Sequence, residues 1–132
     1  MSNIIGNYVG GSRVNPADGT LQDVFNPSTG EVSGQVRLSN ATDLDDTVKV
    51  ASAAALEWGA TPALKRAQVM FRFKRLLEEN ADKIATTISN EHGKTHEDAL
   101  GEVSRGIETV EFACGIPHLL KGTFSEQAAT SI

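Results

Sequence analysis

Cysteine occurs once, at position 114, in a chain of 132 residues. A lone thiol cannot close an intramolecular disulfide, so nothing points to a secreted scaffold stapled by bridges, and the cytoplasm is the expected compartment. Long apolar runs are missing. None approaches 18 residues, and Met1-Ser2-Asn3-Ile4-Ile5-Gly6 has no basic segment leading into an apolar one, so neither a membrane span nor a signal peptide is expected. Positive charge is scarce as well: 12 Lys and Arg stand against 17 Asp and Glu, for a net charge of -5. Without a dense basic cluster, neither nucleic acid nor an anionic membrane is an expected partner. Phosphate loops are also absent, since no G-x-x-x-x-G-K-[ST] or strand-coupled G-x-G-x-x-G pattern occurs, and Gly10-Gly11 reads as a hairpin turn. No internal repeat, low-complexity tract or long linker divides the chain.

What is present is ordinary globular composition, 39% hydrophobic and 22% charged, which excludes disordered and collagen-like classes. The length suits one small domain or part of a larger one. The first forty residues are short β-compatible pieces: Tyr8-Val9 and Arg13-Val14 around Gly10-Gly11, then Val24-Phe25 and Val32 to Leu38 around Asn26-Pro27-Ser28-Thr29-Gly30. Proline fixes φ and glycine permits a positive φ in such turns, so two antiparallel hairpins are expected. From Ser39 the pattern turns helical. Thr42 with Asp45 resembles a capping box, and Leu44, Val48, Ala51, Ala55 and Trp58 mark a first helix stopped at Gly59. Thr61 as cap and Pro62 at the first helical position open a second, carried by Leu64, Ala67, Phe71, Leu77, Ala81, Ile84 and Ile88 to Gly93, with Glu79-Asn80-Ala81-Asp82 as a possible break. Thr95 with Asp98 opens a third, running to about Leu120 on a seam of Leu100, Val103, Ile107, Val110 and Cys114. The segment is therefore α+β, two hairpins followed by three helices.

Three constellations merit chemical scrutiny. His92 and His96 have the spacing of a metal pair on one helical face, but Gly93, Lys94 and Thr95 between them carry a helix stop and a new cap, so no metal site is expected. Cys114 continues an apolar seam late in a helix, where the dipole disfavours a thiolate, and is expected buried rather than nucleophilic. The run Gly101-Glu102-Val103-Ser104-Arg105-Gly106 places two glycines inside an otherwise good helix, each costing about 1 kcal/mol relative to alanine. Close helix packing is one explanation. Another is that Gly101, one turn before Arg105, leaves room for a ligand beside a guanidinium suited to carboxylate or phosphate. Glu102 and Glu108 could equally hold Arg105 in a surface ion pair.

Asn7-Tyr8-Val9-Gly10-Gly11, Phe25-Asn26-Pro27-Ser28-Thr29-Gly30-Glu31-Val32 and Glu91-His92-Gly93-Lys94-Thr95 resemble the N-terminal segment of an aldehyde dehydrogenase. The stretch from Gly101 to Pro117, with Met70-Phe71-Arg72-Phe73 before it, is similar to the methylmalonate-semialdehyde, CoA-acylating branch, and the likeness covers essentially the whole chain. The resemblance implies a longer α/β enzyme in which 1-122 is the N-terminal part of the NAD-binding domain and 123-132 starts a strand toward the oligomerisation region. It implies oxidation of malonate or methylmalonate semialdehyde through a cysteine thioester with NAD, then decarboxylation and transfer to CoA, giving acetyl-CoA or propionyl-CoA. The family's catalytic cysteine motif, general-base glutamate, oxyanion asparagine and glycine-rich cofactor unit do not occur here. No catalytic, cofactor-binding or metal residue is therefore expected in this chain, which alone should be inactive and bind neither NAD nor CoA. One position carries over: Arg105 matches the arginine that binds the substrate's distal carboxylate. The implied partners are the remainder of the enzyme, a second subunit in a homo-oligomer and the semialdehyde. A non-catalytic helical interaction module, or a piece of another aldehyde dehydrogenase branch, are the alternatives.

Overall fold

The computed structural model of the chain describes residues 4–16 and 18–123. The order is strands then helices: β1 Ile4–Ile5, β2 Asn7–Val9, β3 Ser12–Val14, β4 Leu21–Phe25, β5 Val32–Arg37, then α1 Ala41–Ala60, α2 Ala63–Glu79, α3 Ala81–His92, α4 His96–Cys114 and α5 Ile116–Leu119. The strand expected to begin within 123-132 falls, Thr123 apart, outside the described residues. Among these residues no helix is long and apolar enough to cross a membrane.

Both expected hairpins form. β2 pairs antiparallel with β3 across Gly10 and Gly11, whose φ values of 58° and 82° only glycine adopts without cost. β4 pairs antiparallel with β5, with a bulge at Val24/Phe25 where Ser33 Oγ donates to the Val24 carbonyl. In the turn between them, Asn26 Oδ1 accepts from the Ser28 amide at 2.8 Å, and the Asn26 carbonyl accepts from the Gly30 amide at 2.8 Å. An unexpected strand, β1, pairs in parallel with β5, giving a three-stranded sheet in the order β1-β5-β4. Two residues carry too little pattern to declare a strand.

The helix boundaries correct several expectations. The capping box at α1 is Asn40 with Asp43 rather than Thr42 with Asp45, each side chain taking the other's backbone amide. Gly59 does not stop α1; the helix runs to Ala60, and Thr61 caps its C-terminus. Pro62, expected at the first helical position, is the N-cap of α2. The long second segment does divide, at Asn80, whose side-chain amide donates to the Leu76 carbonyl at 2.8 Å while its own carbonyl accepts from the amide of Ile84, in the first turn of the next helix, at 3.0 Å. Gly93 ends α3 at φ 77°, and the Thr95 hydroxyl caps α4 by accepting from the Asp98 amide. The third segment breaks at Gly115, the N-cap of the single turn of α5, with Pro117 in its first turn.

The core lies between α3 and α4. Ala85 and Ala99 are both 0% exposed and Val103 is buried beside them, flanked by Ala81, Ile84, Ile88 and Ile107. The α4 seam therefore starts at Ala99 rather than Leu100, which is exposed, because a methyl lets the two helices approach where a leucine would hold them apart. α2 packs on the other flank of α4 through Ala67. The Asn26–Gly30 turn touches the α3–α4 corner: a Cβ placed on Gly93 would lie 3.1 and 3.3 Å from the Pro27 ring.

Much apolar surface stays uncovered. α1 buries none of its side chains, and Leu44, Leu56, Leu64, Phe71, Phe112 and Leu120 are all more than half exposed. The chain exposes 10412 Å², whereas a self-contained monomer of its mass would expose about 6,700 Å².

Candidate functional site

Arg105 stands in the middle of α4 on the exposed side of the helix. At about 100° of rotation per residue, a position two on from Val103 points away from the buried seam of Ala99, Val103 and Cys114. Helical side chains lean toward the N-terminus, and the Arg105 guanidinium follows: Nη1 lies 3.9 Å from where a Cβ on Gly101 would stand.

Neither glutamate that might have neutralised it does so. Among the described residues no carboxylate oxygen comes within 4.0 Å of the Arg105 guanidinium. Glu102 instead accepts a short hydrogen bond from Lys94 Nζ, and that bond holds its carboxyl below the usual range; desolvation opposes the shift, and the charges of Lys94, His92 and Arg105 assist it. Lys94 sits in the linker between α3 and α4, so the corner made by Gly93 and Thr95 aims an amine at Glu102, and Arg105 has no ion-pair partner among the described residues. Sequence spacing did not disclose that role, because a residue eight positions away on another element meets Glu102 only through the turn. Two turns beyond Arg105 on the same outward face, Phe112 is 68% exposed. The face thus joins a permanent cation to an apolar ring, and the guanidinium fork can take a carboxylate through two parallel N–H bonds.

The other candidates lie elsewhere in the fold. His92 closes α3 and His96 opens α4, on separate helices as the intervening glycine and threonine implied. The His96 ring reaches Asp82, with Nε2 3.2 Å from Oδ1, and no group of three or more His, Cys, Asp or Glu side chains converges among the described residues. Cys114 is buried as the last residue of α4. The strands connect to one another through turns and reach α1 through the capped Asn40, so the described residues offer no glycine-rich strand-to-helix turn to receive a pyrophosphate.

The profile of the Aldehyde dehydrogenase family matches residues 14–132. A malonate-semialdehyde dehydrogenase of Pseudomonas aeruginosa is 50% identical over 115 residues, 87% of this chain and 23% of that protein. A methylmalonate-semialdehyde dehydrogenase of Oceanimonas doudoroffii has a crystal structure that superposes with a TM-score of 0.80 at 47% identity, over 98% of this chain and 26% of that one. A Sinorhizobium meliloti structure assigned the same activity and complexed with NAD superposes with a TM-score of 0.88 at 43% identity, with the same coverage. The chain spans about a quarter of the length of these relatives. Matched by the family profile over nearly its whole length and by the fold of solved members, the chain belongs to the aldehyde dehydrogenase family.

Proposed function

We propose that the chain is the N-terminal part of an NAD-dependent, CoA-acylating dehydrogenase of malonate or methylmalonate semialdehyde, in which it supplies the residue that recognises the substrate's carboxylate. The observation that carries this is the Arg105 guanidinium on the outward face of α4, with no ion-pair partner among the described residues. A semialdehyde bearing a carboxylate needs a fixed cation to orient it, and an enzyme for apolar aldehydes does not. In the intact enzyme the aldehyde carbon becomes the thioester carbon of CoA, the carboxylate leaves as CO2, and NAD takes the hydride, all on residues this chain does not contain. The contribution of this segment is to bind and orient: Arg105 grips the carboxylate, the Lys94–Glu102 bond keeps the Glu102 carboxylate out of competition, and the faces of α1 and α2 receive the rest of the enzyme.

The test is an intact enzyme made by joining this chain to the C-terminal three quarters of the Pseudomonas aeruginosa relative. NADH formation that requires both CoA and the semialdehyde supports the proposal; activity on propanal with none on the carboxylated substrates refutes it. The isolated chain should form no NADH under the same conditions. The uncovered faces of α1 and α2 also favour a second account, an interaction module that assembles into homo-oligomers. Light scattering separates the two, since a monodisperse oligomer of the isolated chain is expected only of the module.

A further inference from the structure

We propose that Gly101 is a positioning residue for Arg105: the bare strip of helix it leaves lets the guanidinium lie back along α4 with one edge open to the substrate carboxylate. This rests on the carboxylate-binding reading of Arg105. A glycine inside a helix normally needs a reason, because alanine at the same place favours the helix. Close packing against a neighbouring helix is not that reason among the described residues. A Cβ on Gly101 would meet one atom within 4 Å, Nη1 of Arg105 at 3.9 Å, whereas the packed Gly93 would drive a Cβ to 3.1 Å from Pro27. Alanine would therefore fit at 101 without a clash and yet occupy the space beside the guanidinium.

That space matters for the fork. A carboxylate oxygen bonded to Nη1 sits about 2.9 Å from it, and a methyl group 3.9 Å from the same nitrogen fills one of its approaches. A branched or longer side chain at 101 would displace the guanidinium itself, since Arg105 leans onto the turn that carries Gly101. Gly106, with nothing within 4 Å of its Cβ position, follows Arg105 and is not on the turn its side chain covers, so it provides the internal control.

The experiment uses the intact chimeric enzyme with Gly101→Ala, Gly101→Leu, Gly106→Ala and Arg105→Leu, assayed with methylmalonate semialdehyde and with propanal. Gly101→Ala is expected to raise KM for the carboxylated substrate about three- to tenfold with kcat and propanal KM nearly unchanged. Gly101→Leu should raise it further. The melting temperature of Gly101→Ala should rise or hold, which separates loss of recognition from loss of fold. If Gly101→Ala lowers the melting temperature and impairs both substrates alike, the glycine serves packing against the rest of the enzyme and the proposal fails. If it changes KM no more than Gly106→Ala, the proposal also fails. Should Arg105→Leu affect both substrates equally, the underlying assignment of Arg105 falls as well; a selective Arg105→Leu beside a silent Gly101→Ala overturns the role of Gly101 alone.

Discussion

Replacing Gly93 by alanine tests how the helical corner ahead of Arg105 is held. Gly93 has φ 77°, and a Cβ there would stand 3.1 and 3.3 Å from two atoms of the Pro27 ring and 3.4 Å from Ser28 Oγ. The left-handed backbone costs an L-residue about 1–2 kcal/mol, and moving a proline ring by a few tenths of an ångström adds about 1 kcal/mol. Gly30 offers the matched control, with φ 74° and nothing within 4 Å, so Gly30→Ala carries the backbone cost alone. Each glycine amide also reports on its own hydrogen bond, Gly93 to the Ser89 carbonyl at 2.9 Å and Gly30 to the Asn26 carbonyl at 2.8 Å. In the intact enzyme, hydrogen exchange at the α3 C-terminus should accelerate about 30- to 150-fold in Gly93→Ala. The turn in Gly30→Ala should accelerate about 5- to 30-fold. Adding Pro27→Ala to Gly93→Ala should recover the crowding component. Equal acceleration in the two single variants, with no recovery, would refute the claim that the turn and the corner are packed against each other.

Ala99→Leu should lower the melting temperature of the intact enzyme by the equivalent of about 1–3 kcal/mol through overpacking, because Ala99 and Ala85 are both 0% exposed; Leu100→Ala, on an exposed position, should cost less, and the reverse order would restore the seam expected from spacing. The lowered carboxyl of Glu102 sets a pH dependence. Its contribution is complete above the ordinary glutamate value of about 4.3 and lost as pH falls through the lower folded value. The stability gap between the parent and Glu102→Gln should therefore be constant near neutrality and close below about pH 4, and a gap that ignores pH would assign Glu102 no ionic role. The isolated chain, exposing 10412 Å², should show helical circular dichroism without a sharp melt, and a cooperative transition would mean that its core suffices.

Local chemistry was the legible part of this fold. Gly10-Gly11, Asn26 to Gly30, Gly93 and Thr95 each announced a turn or cap because the signal and the structure lie within a few residues of each other. Neighbouring options of equal quality were not separable: Asn40 and Thr42 each have an aspartate three residues on, and the cap that forms is Asn40 with Asp43. Strand β1 and the close approach at Ala99 depend on partners about thirty and fourteen residues away, Gln35 and Val36 in one case and Ala85 in the other, which no local period encodes. The site shows the same division. Spacing showed Arg105 one turn from a glycine and left an ion pair with Glu102 or Glu108 equally open, whereas the capture of Glu102 by Lys94 exists only once the corner is folded.

The central claim is that Arg105 selects substrates carrying a carboxylate. Loss of a charge-assisted hydrogen bond costs about 1.5–3 kcal/mol, equivalent to about 10- to 150-fold in KM. The direct measurement is the ratio of KM for methylmalonate semialdehyde to KM for propanal, in the parent enzyme and in Arg105→Leu. A rise of that ratio within this range, with propanal kinetics preserved, is the predicted result; an unchanged ratio would contradict the account.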